Sequence, residues 1–207
     1  GHVSDHAATM GEVLRDEGYA TFAVGKWHLC PMEQASAAGP FDQWPCQRGF
    51  DRFYGFLEGE TDHFHPELVH DNHMVDPPGR AEDGYHLTED LVDRAIRMVH
   101  DTVSVRPDRP YFLYFALGAT HAPHQAPAEY LERYRGRFDR GWDVAREEWF
   151  ARQVAEGLVP EGTELAPRNP GVEPWDSLPE NQRRLAARLQ EAFAAFLDHT
   201  DAQLGRL

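Results

Sequence analysis

Apolar positions recur at helical and strand spacing in separate stretches of the chain, and turn residues punctuate them. Thr9-Met-Gly-Glu12 has the form of a capping box opening a short helix, with Gly18 suited to its end. Tyr19 to Val24 is a short apolar run bounded by Gly25-Lys26, the pattern of a buried strand. Thr88 is placed to cap a second helix in which Leu91, Val92, Ala95, Ile96 and Val99 share one face. Pro110 introduces Tyr111-Phe-Leu-Tyr-Phe-Ala116, the strongest strand signal in the sequence, which runs into Gly118-Ala-Thr-His121. Helical segments fall within residues 128–157, and a Pro-rich loop follows over 158–176. Ser177-Leu-Pro-Glu180 has the form of another capping box, before a helix carrying Leu185, Leu189, Ala192, Phe196 and Leu197.

Residues 30–86 follow no sustained period and are rich in Gly, Pro, Asp, Asn and His. An irregular stretch of that length inside a compact domain is usually functional. The order helix, strand, loop, helix, strand, helices predicts an α/β fold with a mainly parallel sheet flanked by helices. Only two strands stand out, and two strands do not make a stable sheet of that kind. Both ends therefore read as cuts through a larger domain. The apolar faces of Val24 and Phe112 are expected to lack cover, and the isolated chain to be poorly stable.

Composition narrows the function. The chain has 207 residues with 41% hydrophobic and 12% aromatic positions, enough for a core. Its formal net charge of -15 argues against nucleic-acid binding and against anionic membrane surfaces, both of which need clustered cations. An anionic small molecule remains compatible, because a few placed cations set the local field. No apolar run approaches the length of a membrane span, and no signal pattern opens the chain. Compartment and oligomeric state are left open. Cys30 and Cys46 form no CxxC pair and are expected to be free thiols. Arg133-Tyr-Arg-Gly-Arg137 reads as a solvated face. Trp142, Trp149 and Phe150 read as core, and Trp175 as loop packing.

The sharpest chemical signal is Gly18-Tyr-Ala-Thr-Phe-Ala-Val-Gly-Lys-Trp-His-Leu29. A strand delivers Gly25, which permits a tight turn, and then Lys26 and His28. Ligands in open α/β sheets bind beyond the carboxyl ends of strands. Lys26 offers a cation for an anion, and His28 a titratable donor or acceptor. Spacing of two in an extended segment would put both on one side. The bland alternative is a solvated strand end.

This segment is similar to the second signature of the sulfatase family, within the alkaline-phosphatase-like superfamily. Arg48-Gly-Phe-Asp-Arg-Phe-Tyr-Gly-Phe56, Glu60-Thr-Asp and His65-Pro-Glu-Leu-Val69 resemble the loop of bacterial arylsulfatase-like members. Leu113-Tyr-Phe-Ala-Leu-Gly-Ala-Thr-His-Ala-Pro-His-Gln-Ala-Pro127 resembles the strand-to-loop segment bearing an active-site His. The resemblance covers essentially all of residues 1–207, as part of one sulfatase catalytic domain.

It implies a hydrolase of sulfate monoesters acting on a small-molecule sulfate ester. Lys26 would bind a sulfate oxygen and the hydroxyl of a formylglycine hydrate, the family's nucleophile. His28 would hydrogen-bond that hydrate. His121, in a His-x-Pro context, would protonate the leaving alcohol, with His124 second in rank. Cations hold charge on the equatorial oxygens, and a general acid neutralises the leaving oxygen.

The family's Cys-x-Pro-x-Arg or Ser-x-Pro-x-Arg motif is absent. Neither Cys30-Pro-Met-Glu-Gln34 nor Cys46-Gln-Arg-Gly-Phe50 fits it. Ser177-Leu-Pro-Glu-Asn181 misses by one residue, and Ser177 reads as a helix cap. The formylglycine and the ligands of a divalent cation, calcium being the expected ion, would lie outside this chain, which alone should not turn over. Asp71-Asn72 stands in the wrong order to be the metal pair.

Asp62, His63, His65, Glu67, His70, Asp71 and His73 match no standard zinc spacing, and read as pocket rim or structural contacts rather than a separate metal site. Glu58 stands where related sequences tend to carry Gly. Two alternatives accompany this reading: a phosphonate or phosphate ester hydrolase of the same superfamily, and a non-catalytic chain binding an anion or a partner.

Overall fold

The computed structural model describes residues 1–207, which form two compact units: residues 1–125 with 199–207, and residues 126–198. In the first, helix α1 (Met10–Asp16) leads into strand β1 (Ala20–Lys26). Strands β2 (Arg52–Phe56), β3 (Leu68–His70) and β4 (His73–Val75) follow, then helix α2 (Leu87–Val105) and strand β5 (Tyr111–Ala116). The sheet has five strands in the order β4-β3-β2-β1-β5. β1 pairs in parallel with both β2 and β5, while β3 and β4 form an antiparallel hairpin on β2. The expected α/β fold with a mainly parallel core is present.

Three strands, β2, β3 and β4, lie in the stretch expected to be irregular. They are only five, three and three residues long. Elements so short have too few alternating positions to show a period. β1 is paired on both sides, by β2 and β5, and Val24 is 1% exposed rather than uncovered.

Alternation along β1 sorts its side chains between two cores. Ala20, Phe22 and Val24 pack with Tyr54, Phe56 and Leu68 beneath Leu87, Leu91 and Ala95 of α2. The Tyr54 hydroxyl donates to Asp90 Oδ2 at 2.6 Å, pinning α2 to β2. On the opposite face Ala23, Phe53 and Val69 meet Trp27, Trp44 and Phe50, with Phe112 half-buried against them. That second layer is built by the irregular segment itself, which explains its length.

Arg48 anchors the segment. Its buried guanidinium donates to Glu12 Oε1 at 3.0 Å, to Gln43 Oε1 and the Val3 carbonyl at 2.9 Å, and to the Ala7 carbonyl at 3.1 Å. Thr9 caps α1 through the expected capping box.

The cap of α2 differs from expectation. His86 is the N-cap, its ring accepting from the Thr88 amide, and Thr88 lies inside the helix. Ile96 and Val99 are half-buried, and Met98 completes the buried face.

The second unit holds α3 (Ala128–Arg133), α4 (Gly141–Ala155) and most of α5 (Glu180–Leu204). Three expectations fail here, wholly or in part. The Ser177 hydroxyl donates to the Pro174 carbonyl at 2.7 Å, closing the turn before α5 instead of capping it. Along α5, Leu185, Leu189 and Leu197 are more than half exposed, while Phe196 is buried as expected, together with Ala187, Glu191 and Ala195. Glu191 is drawn inward because its Oε1 accepts from the Gly136 amide at 2.8 Å. Trp149 is likewise exposed, whereas Trp175 is buried edge-on to Trp142 at 4.8 Å.

The tightest backbone approach lies at the centre of the sheet. Gly25 has φ of 104°, and a Cβ there would stand 2.0 Å from the Ala116 carbonyl oxygen. Left-handed strain and overpacking each cost about 1–3 kcal/mol. Gly25→Ala should therefore lose about 3 kcal/mol or more, read as a lower urea midpoint with an unchanged slope. A midpoint within error of the parent would refute this account of the strand junction.

Candidate active site

The parallel register aligns the carboxyl ends of three strands. Gly25 lies opposite Gly55 on one side and Ala116 on the other, so Lys26 stands beside Phe56 at the sheet edge. The β1–β2 ladder continues beyond the strands: the Trp27 amide donates to Phe56 at 3.0 Å and the His28 amide to Leu57 at 2.9 Å.

His28 has φ of 52°. That left-handed residue ends the alternation, so the strand spacing used above does not set its direction. Its ring lies over Gly59, where an added Cβ would fall 2.9 Å from Cε1. Trp27 between them is buried in the core, its indole nitrogen donating to the Gln43 carbonyl at 2.8 Å.

β5 delivers His121 to the same edge. The His121 amide donates to the Gly118 carbonyl at 2.9 Å, making a tight turn. Its Nδ1 lies 3.4 Å from Glu60 Oε2, on the segment leaving β2. The loops leaving β2 and β5 thus meet through His121 and Glu60. His124 is half-buried three residues further on. Glu58, Glu60, Asp62 and Glu67 line a cleft of about 340 Å³ alongside.

The two loops are clasped by Gln125. Its side-chain carbonyl accepts from the His63 amide at 2.7 Å, and its amide donates to Asp62 Oδ2 at 2.7 Å. Asp62 Oδ1 accepts from the amides of Phe64 and His65. Burial works to raise the Asp62 carboxyl, but these bonds outweigh it and hold the group below its ordinary value. Nothing in the sequence announced Gln125, whose partners lie more than sixty residues away.

Beneath the loops lies a layer of buried histidines. His63 stacks on His86 at 5.5 Å, and His199 meets His86 edge-on at 4.5 Å. His199 Nε2 lies 3.1 Å from Glu89 Oε1. His86 is held in one tautomer. Its Nδ1 accepts from the Thr88 amide and its Nε2 donates to the Gln125 carbonyl at 3.2 Å. Burial depresses His63 to about 4 and His86 to about 3.

The His-, Asp- and Glu-rich loop is thereby divided. Asp62 and His63 serve the clasp, while His70 and Asp71 face Arg52, whose Nε donates to both Asp71 oxygens at 3.1 Å. Asp71 also accepts from the Phe53 amide at 3.0 Å, a structural role at the hairpin turn. No group of three or more His, Cys, Asp or Glu side chains is arranged to hold a metal ion. The donor set therefore does not fit the divalent cation expected for the family. Cys30 and Cys46 are free thiols, both raised by burial, Cys46 to about 12.

The sulfatase family model matches residues 2–207. The chain belongs to the sulfatase family. An uncharacterized sulfatase of Schizosaccharomyces pombe is 30% identical, the match covering 100% of this chain and 38% of that protein. The arylsulfatase of Klebsiella aerogenes is 28% identical over 99% of this chain and 43% of its own length. This sulfatase chain thus spans less than half the length of these relatives. A structure from Bacteroides thetaiotaomicron, determined in work on the metabolism of multiple glycosaminoglycans, superposes with a TM-score of 0.64 at 14% identity. It covers 99% of this chain and 38% of that one, a likeness of fold. No helix is long and apolar enough to cross a membrane.

The buried histidines give this sulfatase an acid sensitivity. His63 and His86 are neutral in the folded chain, whereas an unfolded histidine takes up a proton below about pH 6.5. Their contribution is complete above pH 6.5 and is lost as pH falls toward 4 and then 3. Each can cost up to about 1.4 kcal/mol per pH unit in that window. Urea titrations at pH 7.0, 5.5 and 4.5 should show this decline. His86→Asn, which keeps a capping acceptor for the Thr88 amide, should flatten it. An unchanged slope in that variant would remove His86 as a source.

Proposed function

We propose that the protein carrying this chain hydrolyses sulfate monoesters of aryl or similar alcohols. The observation behind the reading is the register of β1 with β5, which brings two strand ends to one sheet edge: Lys26 and His28 leave β1 there, and His121 follows β5. The family match supports it.

In this reading Lys26 holds a sulfate oxygen as charge builds on the equatorial oxygens. His28, whose ring lies over Gly59, is the hydrogen-bond partner proposed for the nucleophile. As an attacking oxygen bonds to sulfur and the sulfur–oxygen bond to the alcohol breaks, that bond's electron pair stays on the alcohol oxygen, which takes a proton from His121 Nε2. His124 is the second candidate for contact with the ester. A formylglycine nucleophile and a divalent cation, calcium by resemblance, are proposed for segments outside this chain, and no step described here passes through them.

A general acid contributes about 10²- to 10⁴-fold in rate, and less when the leaving alcohol is already acidic. In the full-length protein, His121→Ala should lose most on the phenyl sulfates with the least acidic alcohols. His124→Ala should lose about equally on all. A flat loss for His121→Ala would remove it as the acid, and retention of turnover by Lys26→Ala would sink the sulfate-binding role.

A further inference from the structure

The proton inventory of His121 points to its neighbour. Nδ1 lies 2.8 Å from the carbonyl oxygen of Ala122. A carbonyl oxygen accepts and cannot donate, so this nitrogen carries a proton whether the ring is neutral or charged. Neutral His121 therefore presents a bare Nε2, and Nε2 holds a proton only when the ring is an imidazolium. If His121 protonates a leaving alcohol, it must be a cation before the bond breaks. Afterwards it is a neutral ring whose remaining proton sits on Nδ1.

Glu60 Oε2 stands 3.4 Å from that same Nδ1, on the opposite side of the ring from the nitrogen that would act. The carboxylate thus faces the ring where its charge can stabilise the imidazolium without competing for the proton to be transferred. Half-exposed ion pairs are usually weak, because holding two mobile side chains together costs entropy and water screens the charge.

Here the backbone has already been fixed. Gln125 binds both Asp62 and His63, so the segment two residues beyond Glu60 is tied to the loop four residues beyond His121. Asp62 further accepts from Phe64 and His65, which locks the turn after Glu60. The clasp pre-organises the pair, and Glu60 also lines the adjacent cleft.

We propose that Glu60 is a positioning residue for the hydrolysis: it orients the His121 ring and pairs with its imidazolium form, from which the leaving oxygen is protonated. The proposal rests on the reading of His121 as the acid, and Glu60 itself touches no reacting atom.

The test is a double-mutant cycle in the full-length protein, with Glu60→Gln, Glu60→Asp, His121→Ala and the Glu60→Gln/His121→Ala pair. Each is assayed on phenyl sulfates of graded leaving-group acidity. Glu60→Gln should lower kcat on the order of tenfold on the poorest leaving group, with little effect on the most acidic one and little change in KM. Glu60→Asp should recover part of the loss. In the His121→Ala background, Glu60→Gln should cost nothing further, because the two act as one unit.

Equal losses across the series, or a full additional loss without His121, would overturn the role of Glu60 while leaving His121 as the acid. A flat series for His121→Ala itself would overturn both, and it is read from the single variant alone.

Discussion

Everything at the candidate site depends on one steric constraint, the close approach of three parallel backbones at Gly25. A Cβ at Gly55 would fall 1.9 Å from the Gly25 carbonyl oxygen, and one at Gly25 would fall 2.0 Å from that of Ala116. The register holds Gly25 between Gly55 and Ala116, so the residues that follow leave the sheet from nearly one line. That is why Lys26, the Leu57–Glu60 segment and the Gly118–His121 turn become neighbours although they are far apart in sequence. In α/β sheets this is where ligands bind.

The junction must also be rigid enough to hold charged groups at fixed distances. Its support comes from below, where the rings of His63 and His86 are buried and neutral. His86 joins two tasks, ending α2 through the Thr88 amide and fixing the His121–Gln125 loop through the Gln125 carbonyl. Both tasks need a ring with one donor and one acceptor, which only the neutral form provides. The same burial that makes the support precise makes it sensitive to acid.

Opposite α2, an irregular chain does the work of a helix layer. Trp27, Trp44 and Phe50 cover the second face of the sheet, and buried Arg48 ties that chain to Glu12 and to the Val3 and Ala7 carbonyls. A buried guanidinium with partners on several segments is costly to disrupt, since losing one partner strands the charge. The net charge of -15 therefore coexists with cations placed where they are needed, Arg48 in the support and Lys26 at the sheet edge.

The sequence by itself determined the parts whose physics is local. The capping box at Thr9, the apolar runs of β1 and β5 and the Gly-Lys-Trp-His turn each depend on residues within a few positions. β2, β3 and β4 were too short to show a period. Phe196 of α5 is buried as expected, but three leucines of that helix are exposed and Glu191 is drawn inward by a backbone amide that no helical periodicity encodes. Lys26, His28 and His121 could be named from their strand ends and the family resemblance. Their surroundings could not. Glu60 meets His121 across sixty-one positions, and Gln125 reaches Asp62 across sixty-three. Such pairings are selected by strand order and register, which are properties of the folded sheet. Hydrophobic alternation fixes which side of a strand faces inward, but only tertiary structure decides which loops meet beyond its end.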